Sequence, residues 1–92
     1  MPRESVIVVI RNRLGLHARP AMAFVDLAST FSADVTVRRQ DGTEIIDGKS
    51  IMQMMMLAAT QGTALEVVAD GGDAAEACAA LKKLVESGFD ED

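Results

Sequence analysis

The sequence has no tryptophan or tyrosine, a single cysteine and a single histidine, and each shortage removes a class of function. Cys78, being alone, cannot close an internal disulfide. It falls in an alanine-rich stretch of helical spacing, where a small apolar residue fits a core. Three phenylalanines are the only aromatics, and nine Lys and Arg face fourteen Asp and Glu, a formal net charge of −5. Nucleic-acid recognition needs phosphate-neutralising cations and usually stacking rings, so that partner class is disfavoured. With no second histidine, no cysteine pair and no carboxylates at ligand spacing, neither a catalytic triad nor a metal site is expected, and no cofactor is implied. Asp41-Gly42 and Gly71-Gly72 lack the lysine and hydroxyl residue of a nucleotide phosphate loop. Val6 to Ile10 is far shorter than a membrane span or signal-peptide core and is closed by Arg11 and Arg13, so no membrane insertion and a cytoplasmic location are expected.

What is present suffices for one modest core. Ninety-two residues, 49% of them apolar, allow a single domain over 1–92. The charge is uneven: residues 1–49 carry seven basic and six acidic groups, residues 50–92 two basic and eight acidic. Acidic partner surfaces would therefore have to approach the N-terminal half, which is +1 against −6 for the rest.

Hydrophobic spacing divides the chain into alternating elements. Val6 to Ile10 reads as a first strand. Ala21, Phe24, Val25, Ala28 and Phe31 recur at three- and four-residue steps, predicting a helix from Ala18 to about Thr30–Ser32. Val35 and Val37 alternate with Thr36 and Arg38, and Asp41-Gly42 predicts a two-residue hairpin turn into a third strand at Thr43 to Ile46. Ser50-x-x-Gln53 is a capping-box candidate for a short helix with Ile51, Met54, Met55 and Ala58 on one side, stopped by Gln61-Gly62. That spacing places Met55 in the core and leaves Met52 exposed. Leu65, Val67 and Ala69 mark a fourth strand. Asp73-x-x-Glu76 predicts a second capping box, ahead of a helix carrying Ala74, Ala77, Cys78, Leu81, Leu84 and Val85 that ends at Gly88. The acidic tail is expected to fray beyond Phe89. Strand, helix, strand, strand, helix, strand, helix is the order of an α+β open-faced β-sandwich: a four-stranded antiparallel sheet covered on one face by three helices.

The chemistry concentrates in Asn12-Arg13-Leu14-Gly15-Leu16-His17-Ala18-Arg19-Pro20. Neutral imidazole is a nucleophile near physiological pH, and a helix beginning just after His17 would aim unpaired backbone N–H groups at an anion on the ring. Arg19 has a planar fork of donors suited to phosphate oxygens. Pro20 suits a first helical turn, and Gly15 allows a sharp entry. Taken alone, the same residues could be a surface histidine with an arginine nearby.

Gly-Leu-His-Ala-Arg-Pro, followed by Gly48-Lys49-Ser50-Ile51-Met52 at the family's spacing, resembles the histidine-containing phosphocarrier (HPr) family of the bacterial phosphotransferase system over nearly the whole chain. The resemblance implies strand order 1-4-2-3 and a carrier that is not itself an enzyme. It further implies that His17 takes a phosphoryl group, at Nδ1 by family habit, from enzyme I charged by phosphoenolpyruvate. Enzyme IIA proteins would receive that group, serving sugar transport or its regulatory branch. Arg19 would stabilise the phosphate, Ile51 and Met52 would dock partners, and Ser50 would be a regulatory phosphorylation site for an HPr kinase/phosphorylase. The carrier is expected to be a monomer. Asp26 stands where relatives often carry neutral or basic residues, and Gln53 replaces a common glycine. The Gly88-Phe89-Asp90-Glu91-Asp92 ending resembles the nitrogen-branch paralogue, whereas Gly-Lys-Ser-Ile-Met favours the general or sugar-branch form. The rival reading is a regulatory docking protein of the same fold acting on a kinase or transcription factor; His17 with Arg19 argues against that use alone. A ferredoxin-like ligand-binding domain is a further option that leaves the His-Ala-Arg-Pro run unexplained.

Overall fold

The computed structural model describes residues 2–91. Strands β1 (Arg3–Val9), β2 (Asp34–Arg39), β3 (Ile45–Asp47) and β4 (Ala64–Asp70) form one antiparallel sheet in the order β1-β4-β2-β3. Helices α1 (Ala18–Ala28), α2 (Ile51–Met56) and α3 (Ala74–Glu86) intervene as the spacing predicts, and a 3-10 turn, Gly88–Asp90, follows. The strand alternation explains the two faces. Val6, Val67, Val37 and Ile46 align across the four strands on the core side, and Ile7, Glu66, Arg38 and Ile45 align one residue further along on the other. Arg38 donates to Glu66 at 2.9 Å across that second, open face.

The core between sheet and helices contains Phe24 of α1, Leu65 and Val67 of β4, Leu81 and Val85 of α3 and Met54 of α2, each fully buried. Burial of such side chains contributes about 2 kcal/mol apiece. Cys78 is also buried, and its apolar surroundings raise its thiol pKa.

Several boundaries differ from the sequence expectation, each for a physical reason. β1 starts at Arg3 because its pairing with β4 continues out to Asp70, although its first residues are exposed. α1 stops at Ala28: Thr30 and Phe31 donate to the carbonyls of Leu27 and Ala28, a tightening that ends the helix. The Asp41-Gly42 turn is not a two-residue hairpin loop, since Arg38 pairs with Ile45 and the residues between are looped out. Arg38 holds that loop by donating to the carbonyls of Arg39 at 3.1 Å and Gly42 at 2.7 Å, while Arg39 engages Asp41 at 3.0 Å.

Neither capping box closes in full. Ser50 Oγ accepts from the Gln53 N–H at 3.2 Å, but the Gln53 side chain turns back to accept from the Asp47 N–H at 2.8 Å. Asp73 makes no cap bond; its carboxylate accepts from the N–H groups of Ser32 and Ala33, both at 2.8 Å. Those two bonds lower the Asp73 pKa and tie the start of α3 to the entry of β2.

The prediction for α2 also needs correcting. The helix ends at Met56, well before Gln61-Gly62, because Arg39 binds the carbonyls of Leu57 and Ala58 at 3.0 and 3.2 Å and Ala58 turns left-handed at φ 50°. Met54 is its buried side chain and the C-cap Leu57 is buried just beyond it, while Met55 is 44% exposed and is not core. Six residues make fewer than two turns, too few to present a longer inward stripe.

Candidate functional site

His17 is the N-cap of α1. Its backbone is extended (φ −78°, ψ −171°), its carbonyl accepts the first helical bond from the Ala21 N–H at 3.0 Å, and its side chain makes no cap bond. The N–H groups of Ala18 and Arg19 therefore precede the intrahelical ladder, at the positive end of the helix dipole. Pro20, buried in the first turn, has no N–H to satisfy.

The loop that delivers His17 is fixed at both ends. The Gly15 N–H donates to Asn12 O at 3.2 Å, the Leu16 N–H to Ala59 O at 2.9 Å and the His17 N–H to Gly15 O at 3.0 Å. Gly15 sits at φ +72°, and a β-carbon there would lie 2.5 Å from the Ala59 carbonyl oxygen, so both the conformation and the space exclude a side chain. The exit from α2 is thereby bonded directly to the histidine loop, and α2 packs on α1.

Two residues of the site were not found by sequence reasoning. Asn12, 1% exposed, donates its side-chain Nδ2 to Gly15 O at 2.7 Å and to Glu91 Oε1 at 3.0 Å. Glu91 Oε1 also lies 2.9 Å from His17 Nε2. The tail is thus part of the site and is not frayed at Glu91; Asp92 lies outside the described residues. Phe89 is 8% exposed and anchors the turn, with Phe89 and Asp90 both left-handed at φ 56° and 59°. Such backbone costs on the order of 1 kcal/mol per residue, and burying a phenylalanine offsets it. An apolar residue alone among acids, just after a glycine, was the available signal. The contact of Glu91 with a loop more than seventy residues away was not readable from spacing.

The electrostatics follow from these contacts. The hydrogen bond with His17 is the main cause holding the Glu91 carboxyl below the usual carboxylate range; partial burial opposes it, and the Asn12 bond with the charges of His17 and Arg19 reinforces it. Arg19 is exposed and makes no hydrogen bond or ion pair among the described residues, so its donors are available to an incoming anion. The His17 side chain is 38% exposed. A surface cavity of about 500 Å³ lined by Gln40, Asp41, Gln61, Gly62, Thr63 and Ala64 includes none of these residues. A part-exposed imidazole beside an arginine and helix-end amides could meet a group carried on another protein.

Residues 5–87 match the family model described as the PTS HPr component phosphorylation site. The chain belongs to the HPr family of phosphocarriers. It is 48% identical to phosphocarrier protein NPr of Proteus mirabilis over 92% of this chain and 93% of that one. It is also 44% identical to phosphocarrier protein HPr of Neisseria meningitidis over 99% and 98%. The crystal structure of an HPr from Thermoanaerobacter tengcongensis superimposes with a TM-score of 0.89 at 42% identity, covering 97% of this chain and 98% of that one. Family membership makes the protein a phosphotransferase-system carrier and not an enzyme. The strand order 1-4-2-3 that the HPr resemblance implies is the one observed.

The remaining predicted site residues lie on α2. Ser50 is its N-cap, Ile51 is 37% exposed and Met52 is 79% exposed. Met55 and Met56, at 44% and 62%, extend the apolar surface beyond the two residues singled out from sequence. Among the described residues, no helix is long and apolar enough to cross a membrane.

Proposed function

We propose that His17 accepts a phosphoryl group at Nδ1 from phosphorylated enzyme I, itself charged by phosphoenolpyruvate, and donates it to enzyme IIA proteins, the protein acting as a cytoplasmic monomer. The observation that carries this reading is the half-exposed His17 ring at the start of α1, beside an uncommitted Arg19, in a chain of the phosphocarrier family. Nε2 is already engaged by Glu91, which supports Nδ1 as the reacting nitrogen. Incubation with enzyme I and phosphoenolpyruvate, followed by intact mass and acid treatment, tests it: one acid-labile, alkali-stable phosphoryl group is expected, and an unmodified mass refutes the reading.

Arg19→Ala removes electrostatic help but not the nucleophile. Its transfer rate should fall about tenfold to a hundredfold without reaching zero. Stopped-flow transfer from phosphorylated enzyme I measures this, and an unchanged rate excludes Arg19 from the reaction.

The exposed Ile51 and Met52 support a docking face used by successive partners, and Ser50 at its edge supports regulation by an HPr kinase/phosphorylase. A phosphate on Ser50 would sit at a helix start, where its charge is tolerated, yet a partner would have to strip water from it. Unmodified Ser50 contributes about 1 kcal/mol as a cap, whether or not it is also a regulatory site. Met52→Glu and Ser50→Asp should each raise the KM for enzyme I about tenfold or more while kcat is retained and circular dichroism is unchanged. Wild-type KM values in both variants would place the dock elsewhere.

The 48% identity to an NPr favours the nitrogen, regulatory branch as a second reading beside sugar transport. Side-by-side donation to enzyme IIA proteins of the two branches separates them: faster transfer to one identifies the branch.

A further inference from the structure

We infer that Glu91 is a positioning residue for phosphoryl transfer: it holds the Nε2–H form of His17, so that Nδ1 keeps the lone pair, and it balances the charge that the ring gains with the phosphoryl group. The inference rests on the reading of His17 as acceptor.

The geometry gives the reason. An ionised carboxylate can only accept, so the 2.9 Å contact between Glu91 Oε1 and His17 Nε2 requires the proton to be on Nε2. In the neutral ring Nδ1 is then unprotonated. Asn12 fixes which way the carboxylate points, because its buried Nδ2 bonds the same Oε1 at 3.0 Å while its other bond secures Gly15 O. The turn behind Glu91 is pinned by buried Phe89. These three contacts come from the strand exit, the histidine loop and the C-terminal turn, so the ring is held from outside α1. The arrangement uses the same physics by which a buried carboxylate orients a catalytic histidine in hydrolases.

The transfer balances without moving a proton. The Nδ1 lone pair attacks phosphorus, and the bond from phosphorus to the donor breaks, its electron pair leaving with the donor. The ring is now positively charged and still carries its proton on Nε2, facing Glu91. When an acceptor attacks phosphorus, the electron pair of the Nδ1–P bond returns to Nδ1 and the neutral Nε2–H ring is restored. Arg19, the other charged group acting on this cluster, has the same sign as the phosphorylated ring and cannot serve as its counter-charge. Its role is toward the phosphoryl oxygens. Glu91 supplies the opposite charge at the far side of the ring in both directions of transfer.

The test uses the full chain with ¹⁵N-labelled histidine, as wild type, Glu91→Ala and Glu91→Gln, each checked by circular dichroism. In the neutral ring, two-dimensional ring-nitrogen spectra should show Nε2–H alone in the wild type and a mixture of tautomers in Glu91→Ala. Glu91→Gln keeps an acceptor oxygen without charge and separates positioning from charge balance. In Glu91→Ala kcat for acceptance from enzyme I and for donation onward should fall about tenfold, and in Glu91→Gln, which keeps the Nε2–H tautomer, by only the part owed to charge balance, with KM within about twofold of wild type in both. A wild-type ring spectrum or a wild-type kcat in Glu91→Ala overturns the inference, as does an effect confined to KM, which would make Glu91 a docking residue. The ring spectrum needs no phosphoryl group, so the two readings fail separately. A wild-type protein that is never phosphorylated on His17 removes the carrier reading and this inference together, whereas normal phosphorylation with indifferent Glu91 variants removes only the inference.

Discussion

His17→Ala should abolish phosphoryl acceptance, by at least about a thousandfold, while leaving the fold in place. The chemical half of that expectation is simple: this is the only histidine in the chain, and without its nitrogen lone pair no other group at the start of α1 can form the phosphoramidate. The structural half is less obvious, because His17 is also a helix N-cap. Its side chain makes no cap bond, however, and the carbonyl that starts the ladder belongs to the backbone, so alanine removes none of the helix's own hydrogen bonds. The lost contact with Glu91 involves a partly exposed pair, whose contribution is small. Thermal unfolding should therefore stay within about 1 kcal/mol of wild type. Intact mass after incubation with enzyme I and phosphoenolpyruvate reads the first quantity and calorimetry the second; a phosphorylated variant would move the acceptor to another residue.

The parts of the fold that were legible are those in which each residue is read against near neighbours. The alternation through Leu65, Val67 and Ala69 can only be a one-faced strand, and the three-four spacing from Ala21 to Ala28 can only be a helix lying on it. The HPr resemblance, not periodicity, supplied the strand order. What was illegible depended on groups far apart in sequence. Asp73 looks like a cap and instead serves the backbone at Ser32 and Ala33; Gln53 looks like half of a capping box and serves Asp47. Met54 and Met55 both fit the apolar stripe of a longer helix, but α2 stops after six residues and only Met54 is buried. In the candidate site, the proximity of His17 and Arg19 was readable because the motif is contiguous. Glu91 was not, because its place is set by Phe89 reaching the core and by Asn12 waiting at the end of β1.

Gly15 joins these two kinds of information, and its replacement by alanine should be the most destabilising small substitution at the site. A β-carbon there would lie 2.5 Å from the Ala59 carbonyl oxygen and 2.9 Å from the Thr60 α-carbon, both backbone atoms, at a φ of +72°. The left-handed conformation alone costs alanine about 1 kcal/mol. Relieving the clash means breaking the 2.9 Å bond from the Leu16 N–H to Ala59 O, which ties the histidine loop to the exit from α2. The total should reach about 3 kcal/mol, a fall in Tm on the order of 15 °C for a chain of this size. Two other glycines isolate the components. Gly62→Ala meets nothing within 4 Å but has φ +90°, and Gly72→Ala meets nothing and has no positive φ in that range. The expected order of destabilisation is Gly15, then Gly62 at about 1 kcal/mol, then Gly72 near zero. Because the displaced loop carries His17, Gly15→Ala should also slow phosphoryl acceptance at temperatures where it is still folded, and Gly62→Ala should not. Equal melting temperatures for the Gly15 and Gly62 variants would mean that the loop yields freely at Ala59, and the histidine would then owe its position to Glu91 and Asn12 alone.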